Sequence, residues 1–147
     1  MSELATNAED RKVVSRDDAE DVGRIKAFVL DDAVRRVVAL QVSGRKRGAE
    51  LVDWSRVTGF GPDVVVVDAA DARRKTQDDR ERDTVRGDVA VLGAAVIDDR
   101  GDRCGTVRDF RFDTESGNIE AVLGEGEEWS PDDVISLGTF ALVVRHR

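Results

Sequence analysis

A chain of 147 residues with 40% hydrophobic side chains, gathered in clusters, can build one ordinary domain or two small ones, and full disorder is excluded despite 37% charged residues. The formal net charge of −8 and a pI near 4.7 repel phosphate backbones, which argues against nucleic acid as the main partner and for a basic protein surface. Cys104 stands alone, so an internal disulfide is excluded and a reducing compartment is expected.

In chain order, residues 1–11 are polar and acidic, read as a flexible tail, and lack the apolar stretch of a signal peptide. Short alternating apolar runs follow, separated by turn residues, which is the pattern of an all-β module. Strands are predicted near Lys12–Ser15, Gly23–Leu30, Val37–Val42, Ala49–Val52 and Val64–Asp68, with a sixth near Val57–Phe60. This first module spans residues 12–68. Residues 69–86 (AADARRKTQDDRERDTVR) carry mixed charge and almost no apolar side chain, and are read as a charged linker. A second module covers residues 87–147, with strands near Ala94–Ile97, Gly105–Phe112, Ile119–Leu123 and Thr139–Arg145. The longest apolar tract, Val89–Ile97, is far short of the ~20 residues that span a bilayer. A cytoplasmic protein without membrane insertion is expected.

The two modules repeat one another. Val14–Leu40 aligns with Val96–Val122 without a gap. Val14, Asp17, Gly23, Phe28, Asp31 and Ala39 meet identical residues at Val96, Asp99, Gly105, Phe110, Asp113 and Ala121. The match resumes after loops of different length: Trp54-Ser55 with Trp129-Ser130, Val57 with Val134, Gly61 with Gly138, and Val65–Val67 with Leu142–Val144. In both long strands the inward candidates slip from a period of two. They are Ile25, Phe28 and Leu30 in one copy and Val107, Phe110 and Phe112 in the other. One extra residue at Lys26–Ala27 and at Arg108–Asp109 restores them to one face, so a β-bulge is predicted in each copy. Each Trp-Ser stretch suggests a single helical turn, the second with Ser130 as N-cap and Pro131 at the first helical position.

The ordered set Val-Val-Ser, Gly-x-Ile/Val-x-x-Phe, Asp, Trp-Ser-x-Val and Gly-x-x-Val-Val-Val resembles the PRC-barrel domain. That family is named for the cytoplasmic domain of the photosynthetic reaction centre H subunit, and it also supplies the C-terminal domain of the ribosome maturation factor RimM. The resemblance covers nearly all of both halves. It is weaker in the second, around Leu92–Ala95 and in the shortened loop before Trp129. It implies two tandem six-stranded β-barrels used as docking surfaces, with no catalytic residues to carry over.

The residues themselves offer little reactive chemistry. His146, the one histidine, is read as part of a frayed terminus, unsuited to a catalytic relay. Cys104 is read as a small buried hydrophobe. Zinc spacing and the EF-hand pattern are not met, Asp98, Asp99 and Asp102 notwithstanding, so no metal or cofactor is expected. The candidate partner-binding residues are the basic cluster Arg45-Lys46-Arg47 and the two tryptophans, Trp54 and Trp129, each tryptophan being either packing at the edge of the core or an exposed anchor. Barrels this small bury a low fraction of their surface, so the modules are expected to pack together or the chain to form a homodimer. The expected function is a non-enzymatic scaffold or adaptor binding another protein. The alternatives are a ribosome-assembly factor holding a basic ribosomal protein, and a small-molecule binder or enzyme with its site between the barrels.

Overall fold

A computed structural model of the chain describes residues 1–44, 48 and 50–147. The first copy alternates inward and outward side chains along its strands, and this pattern sets its sheet. After β1 (Ser2–Leu4) and the short helix α1 (Ala5–Ala8) come β2 (Lys12–Ser15), β3 (Asp21–Leu30), β4 (Val37–Ser43) and β5 (Leu51–Asp53). A 3-10 turn at Trp54–Arg56 leads into β6 (Val57–Phe60) and β7 (Val64–Val67). A second 3-10 turn, Ala70–Ala72, precedes β8 (Arg73–Arg74) and α2 (Asp79–Arg86). The second copy supplies β9 (Ala95–Asp98), β10 (Arg103–Thr106), β11 (Asp109–Asp113), β12 (Ile119–Leu123) and β13 (Glu128–Trp129). A 3-10 turn at Pro131–Asp133, capped by the Ser130 side chain, leads to β14 (Val134–Leu137) and β15 (Leu142–Val144).

The first copy forms a seven-stranded sheet in the order β6-β7-β2-β3-β4-β5-β8. In the second copy the same order is divided into β14-β15-β9-β10 and β11-β12-β13, with β1 added beside β11. The parallel pairs correspond: β2 runs parallel to β7, and β9 to β15. The all-β, duplicated architecture is therefore as read from the alternating pattern. The bulge in β3 is also where it is predicted, with the register slipping between Ile25 and Ala27 and leaving Lys26 without a partner on β4. The second copy differs. Its long strand breaks after Thr106, where Val107 N–H donates to Ala94 and Arg108 N–H donates to Leu123, passing the chain from one sheet to the other. Bulge and break achieve the same end, since Ile25, Phe28, Leu30, Val107, Phe110 and Phe112 are all buried.

Two expected boundaries are corrected. Residues 1–11 are not a loose tail: β1 pairs antiparallel with β11 of the second copy, and Ala5 and Ala8 are fully buried. Arg11 fixes the return by donating to Glu3 and to the Gly61 carbonyl, both at 2.9 Å. Nor is 69–86 merely linker. β8 pairs with β5, and α2 starts at an Asp78 N-cap that accepts from Glu81 N–H and ends at Gly87 with φ of 84°. Val85 of α2 packs on Val29, Ala39 and Leu51, the outer face of the first sheet.

Two arginines anchor α2 further. Arg74 donates to Asp53 and Glu81 at 2.7 and 2.5 Å, which raises its pKa, with Glu81 the larger cause, and lowers that of the largely buried Glu81. Arg80 donates to the carbonyls of Leu30 and Asp31 in the first copy and of Leu137 in the second. The helix thus clamps the two copies together.

The copies pack on one another, but they do not fold around separate centres as the duplication suggests. Buried residues of both form one continuous cluster. Phe28 lies 5.4 Å from the rings of both Phe110 and Phe112, and Phe112 also meets Phe60 at 5.3 Å and Trp54 at 6.1 Å. Backbone bonds close the seam above: Val37 N–H donates to Gly117 at 2.8 Å, and Ile119 N–H donates to Arg35 at 2.9 Å. Among the described residues, no helix is long and apolar enough to cross a membrane.

Candidate functional site

The two tryptophans are not surface anchors. Trp54 is 6% exposed and Trp129 is 3% exposed. Trp54 covers Gly117 of the other copy, where an added Cβ would lie 2.9 Å from its ring. Trp129 instead covers Gly124 and Gly105 of its own copy. Arg45, Lys46 and Arg47 lie outside the described residues.

The C-terminus is more ordered than a frayed end. Asp98, itself buried, uses Oδ1 to accept from the N–H groups of Arg100 and Asp102, and its Oδ2 lies 2.9 Å from His146 Nδ1. His146 N–H donates to Asp99. Ligand atoms of Asp98, Asp102 and His146 lie within 4.8 Å of one another, a spacing a cation could use, although Asp98 Oδ1 already serves the turn and Oδ2 the imidazole. The arrangement acts as a clasp for β15. The imidazole beside Asp98 holds that carboxyl below its usual range, and Asp98 in turn raises the imidazole pKa.

The sign of each shift sets the pH window. His146 contributes fully below its ordinary pKa and loses that contribution as pH rises through the raised one. Asp98 contributes above its ordinary pKa and loses it as pH falls through the lowered one. The clasp is tightest between the ordinary carboxylate and imidazole values. An NMR titration of His146 is expected to give a pKa above that of a free histidine, and Asp98→Asn is expected to bring it back down. An unchanged titration in that variant would remove Asp98 as the cause. Cys104 is half-buried, and burial, with Asp98 and Asp102 nearby, pushes its thiol pKa up, away from a reactive thiolate.

Two further features stand out from the repeat. The β6–β7 and β14–β15 turns are closed by the same bond, Gly61 N–H to Val64 and Gly138 N–H to Ala141, each 3.1 Å long. This alignment places Phe140 where the first copy has Asp63, and Ile135 where it has Thr58. Phe140 is 86% exposed and Ile135 is 40% exposed, and β14 is the last strand of its sheet. The duplication serves as an internal control, since the same fold element needs neither apolar residue in its first occurrence. Such single-residue differences are legible in sequence once the turn glycines are aligned.

The second feature is a cleft of about 320 Å³ beneath α2, lined by both copies, by Gly87 and by Val89–Leu92. Its walls include Phe28, Phe110, Val85 and Val91, with Gln41 also lining it and Lys26, Arg86 and Glu9 charged and exposed. Sequence reading misses this site because α2 itself is not foreseen.

Comparison with known proteins agrees with the architecture. None of the curated proteins compared matches the chain. A model of the PRC-barrel domain matches residues 2–74 and again residues 84–145, which takes in every strand of the three sheets and leaves out residues 75–83. With two matches that together span 135 of its 147 residues, the chain belongs to the PRC-barrel domain family.

Proposed function

We propose that this chain is a non-enzymatic adaptor that binds another protein through the β14–β15 hairpin, with Phe140 as the anchor. The observation that carries this reading is the 86% exposure of Phe140 at a turn whose duplicate holds Asp63. Placing a phenyl ring in water forfeits its burial, roughly 2 kcal/mol, and nothing in the folding of the hairpin requires it. Such a ring becomes favourable when a partner covers it, as anchor residues at interfaces do. Ile135 on the neighbouring edge strand extends the apolar contact. The partner that fits is a protein with an apolar pocket rimmed by basic side chains, complementary to the net charge of −8.

The test restores the residues of the first copy. Phe140→Asp and Ile135→Thr are expected to leave the melting temperature within about 3 °C, since neither position is core. A photo-crosslinking residue at Thr139 in the cells of origin is expected to trap a defined partner, and Phe140→Asp to abolish that product. An undiminished crosslink in the variant would end this reading. A crosslink to a second copy of the chain, matched by a dimer in solution, would replace the adaptor with a self-association surface.

A further inference from the structure

We propose that the cleft beneath α2 binds a small amphipathic anion, a compact aromatic or aliphatic acid whose apolar body enters the cleft and whose charged group stays at its rim. Gln41 is 4% exposed and makes no side-chain hydrogen bond among the described residues, yet its amide is not sealed as Ser15 Oγ is; what access it keeps opens on the cleft. An amide so placed keeps only a narrow access to water, and leaving it without a fixed partner forfeits part of its hydration. In the second copy the aligned position is Leu123, so the strand has no need of an amide. Gln41 lines the cleft directly, and there its donor and acceptor can meet a ligand.

The rest of the wall defines that ligand. Phe28, Phe110, Val85 and Val91 present rings and methyl groups. Lys26 is the bulged residue of β3, re-aimed by the register slip between Ile25 and Ala27, and it reaches the mouth of the cleft. Arg86, in the last turn of α2, also lines it. Neither cation has a carboxylate partner within 4.0 Å among the described residues. Glu9 also lines the cleft, so the mouth carries one net positive charge on a strongly acidic protein. A volume of about 320 Å³ is near the lower end of known ligand pockets, which suits a small ring system and excludes a folded peptide.

The full chain is titrated with 8-anilinonaphthalene-1-sulfonate and with its neutral counterpart N-phenyl-1-naphthylamine. Saturable binding with one-to-one stoichiometry is expected, and the sulfonate is expected to bind about tenfold tighter. Ala90→Trp places an indole at the exposed wall of the cleft and is expected to weaken both probes about tenfold while the melting temperature holds. Lys26→Ala with Arg86→Ala is expected to erase the preference for the sulfonate. Gln41→Leu is expected to raise the melting temperature and to weaken binding. Retention of full affinity in Ala90→Trp would overturn the proposal, as would loss of binding in Phe140→Asp. That last variant separates this site from the docking hairpin, so either assignment can fail alone.

Discussion

Gly23→Ala is expected to lower the melting temperature by roughly 6–12 °C, corresponding to a loss of about 3 kcal/mol, whereas Gly105→Ala at the duplicate position is expected to cost about 1 kcal/mol. Both glycines hold φ values that L side chains rarely adopt, 139° and 146°, so both substitutions carry backbone strain. What separates them is the space behind each. A Cβ at Gly23 would meet the Ser43 carbonyl oxygen at 1.9 Å and Val42 Cγ1 at 2.6 Å. The first of these is backbone in the adjacent strand, and it can yield only if β3 and β4 part, at the point where Arg73 donates to the Val22, Val42 and Ser43 carbonyls. A Cβ at Gly105 would meet Glu127 Oε2 at 2.5 Å, the far end of an exposed and flexible side chain. Rotating that carboxylate away costs little. Thermal melts of the two variants side by side check the asymmetry, and equal losses would show that the strain at φ outweighs the steric contact.

That asymmetry shows what a repeated sequence conveys and what it leaves hidden. The glycines align perfectly, as do the inward residues of β3 and β11, because alternation and bulging are local properties of a strand. The environment behind each glycine depends on the other strands, and those carry different side chains in the two copies. The tryptophans make the same point. Trp54 and Trp129 sit in matching Trp-Ser stretches, yet one covers the other copy's Gly117 and the other covers its own copy's Gly124. The residue aligned with Gly117 is Arg35, which offers no flat backbone for Trp129 to cover. Periodicity reports that a side chain points inward; it does not report into which half of the protein.

The segments misread from sequence share a cause. Neither α2 nor β1 has an apolar stripe strong enough to announce itself. The helix is held by Asp78 at its cap, by the Arg74–Glu81 pair and by three carbonyls around Arg80, and β1 is held by backbone pairing to a strand more than a hundred residues away. In a charged sequence such contacts look like solvent-facing residues until the fold brings their partners near. The cleft depends on the same hidden contacts. The cleft exists because α2 exists, and Gln41 gains its meaning only when the helix covers the outer face of the sheet. The exposed hairpin, by contrast, is legible as soon as Asp63 is set against Phe140.

Phe112→Ala is the second change with a large expected effect, and it tests whether the two copies are one folding unit. Truncating a fully buried phenylalanine typically costs about 3–5 kcal/mol through lost burial and the cavity left behind. Here the cavity would open between the copies, because Phe112 touches Phe28, Trp54 and Phe60 of the first and Phe110 of the second. If the shared cluster governs cooperativity, calorimetry should show a single transition in the native protein, displaced by roughly 10 °C or more in the variant and still single. The two tryptophans make the test local. With Trp129→Phe the remaining indole reports the seam between the copies, and with Trp54→Phe it reports the second copy alone. Coincident melting of the two signals, before and after Phe112→Ala, is the expected result. Separate midpoints, with only the Trp54 signal displaced, would mean that the copies melt as independent bodies and that the aromatic contacts merely dock them.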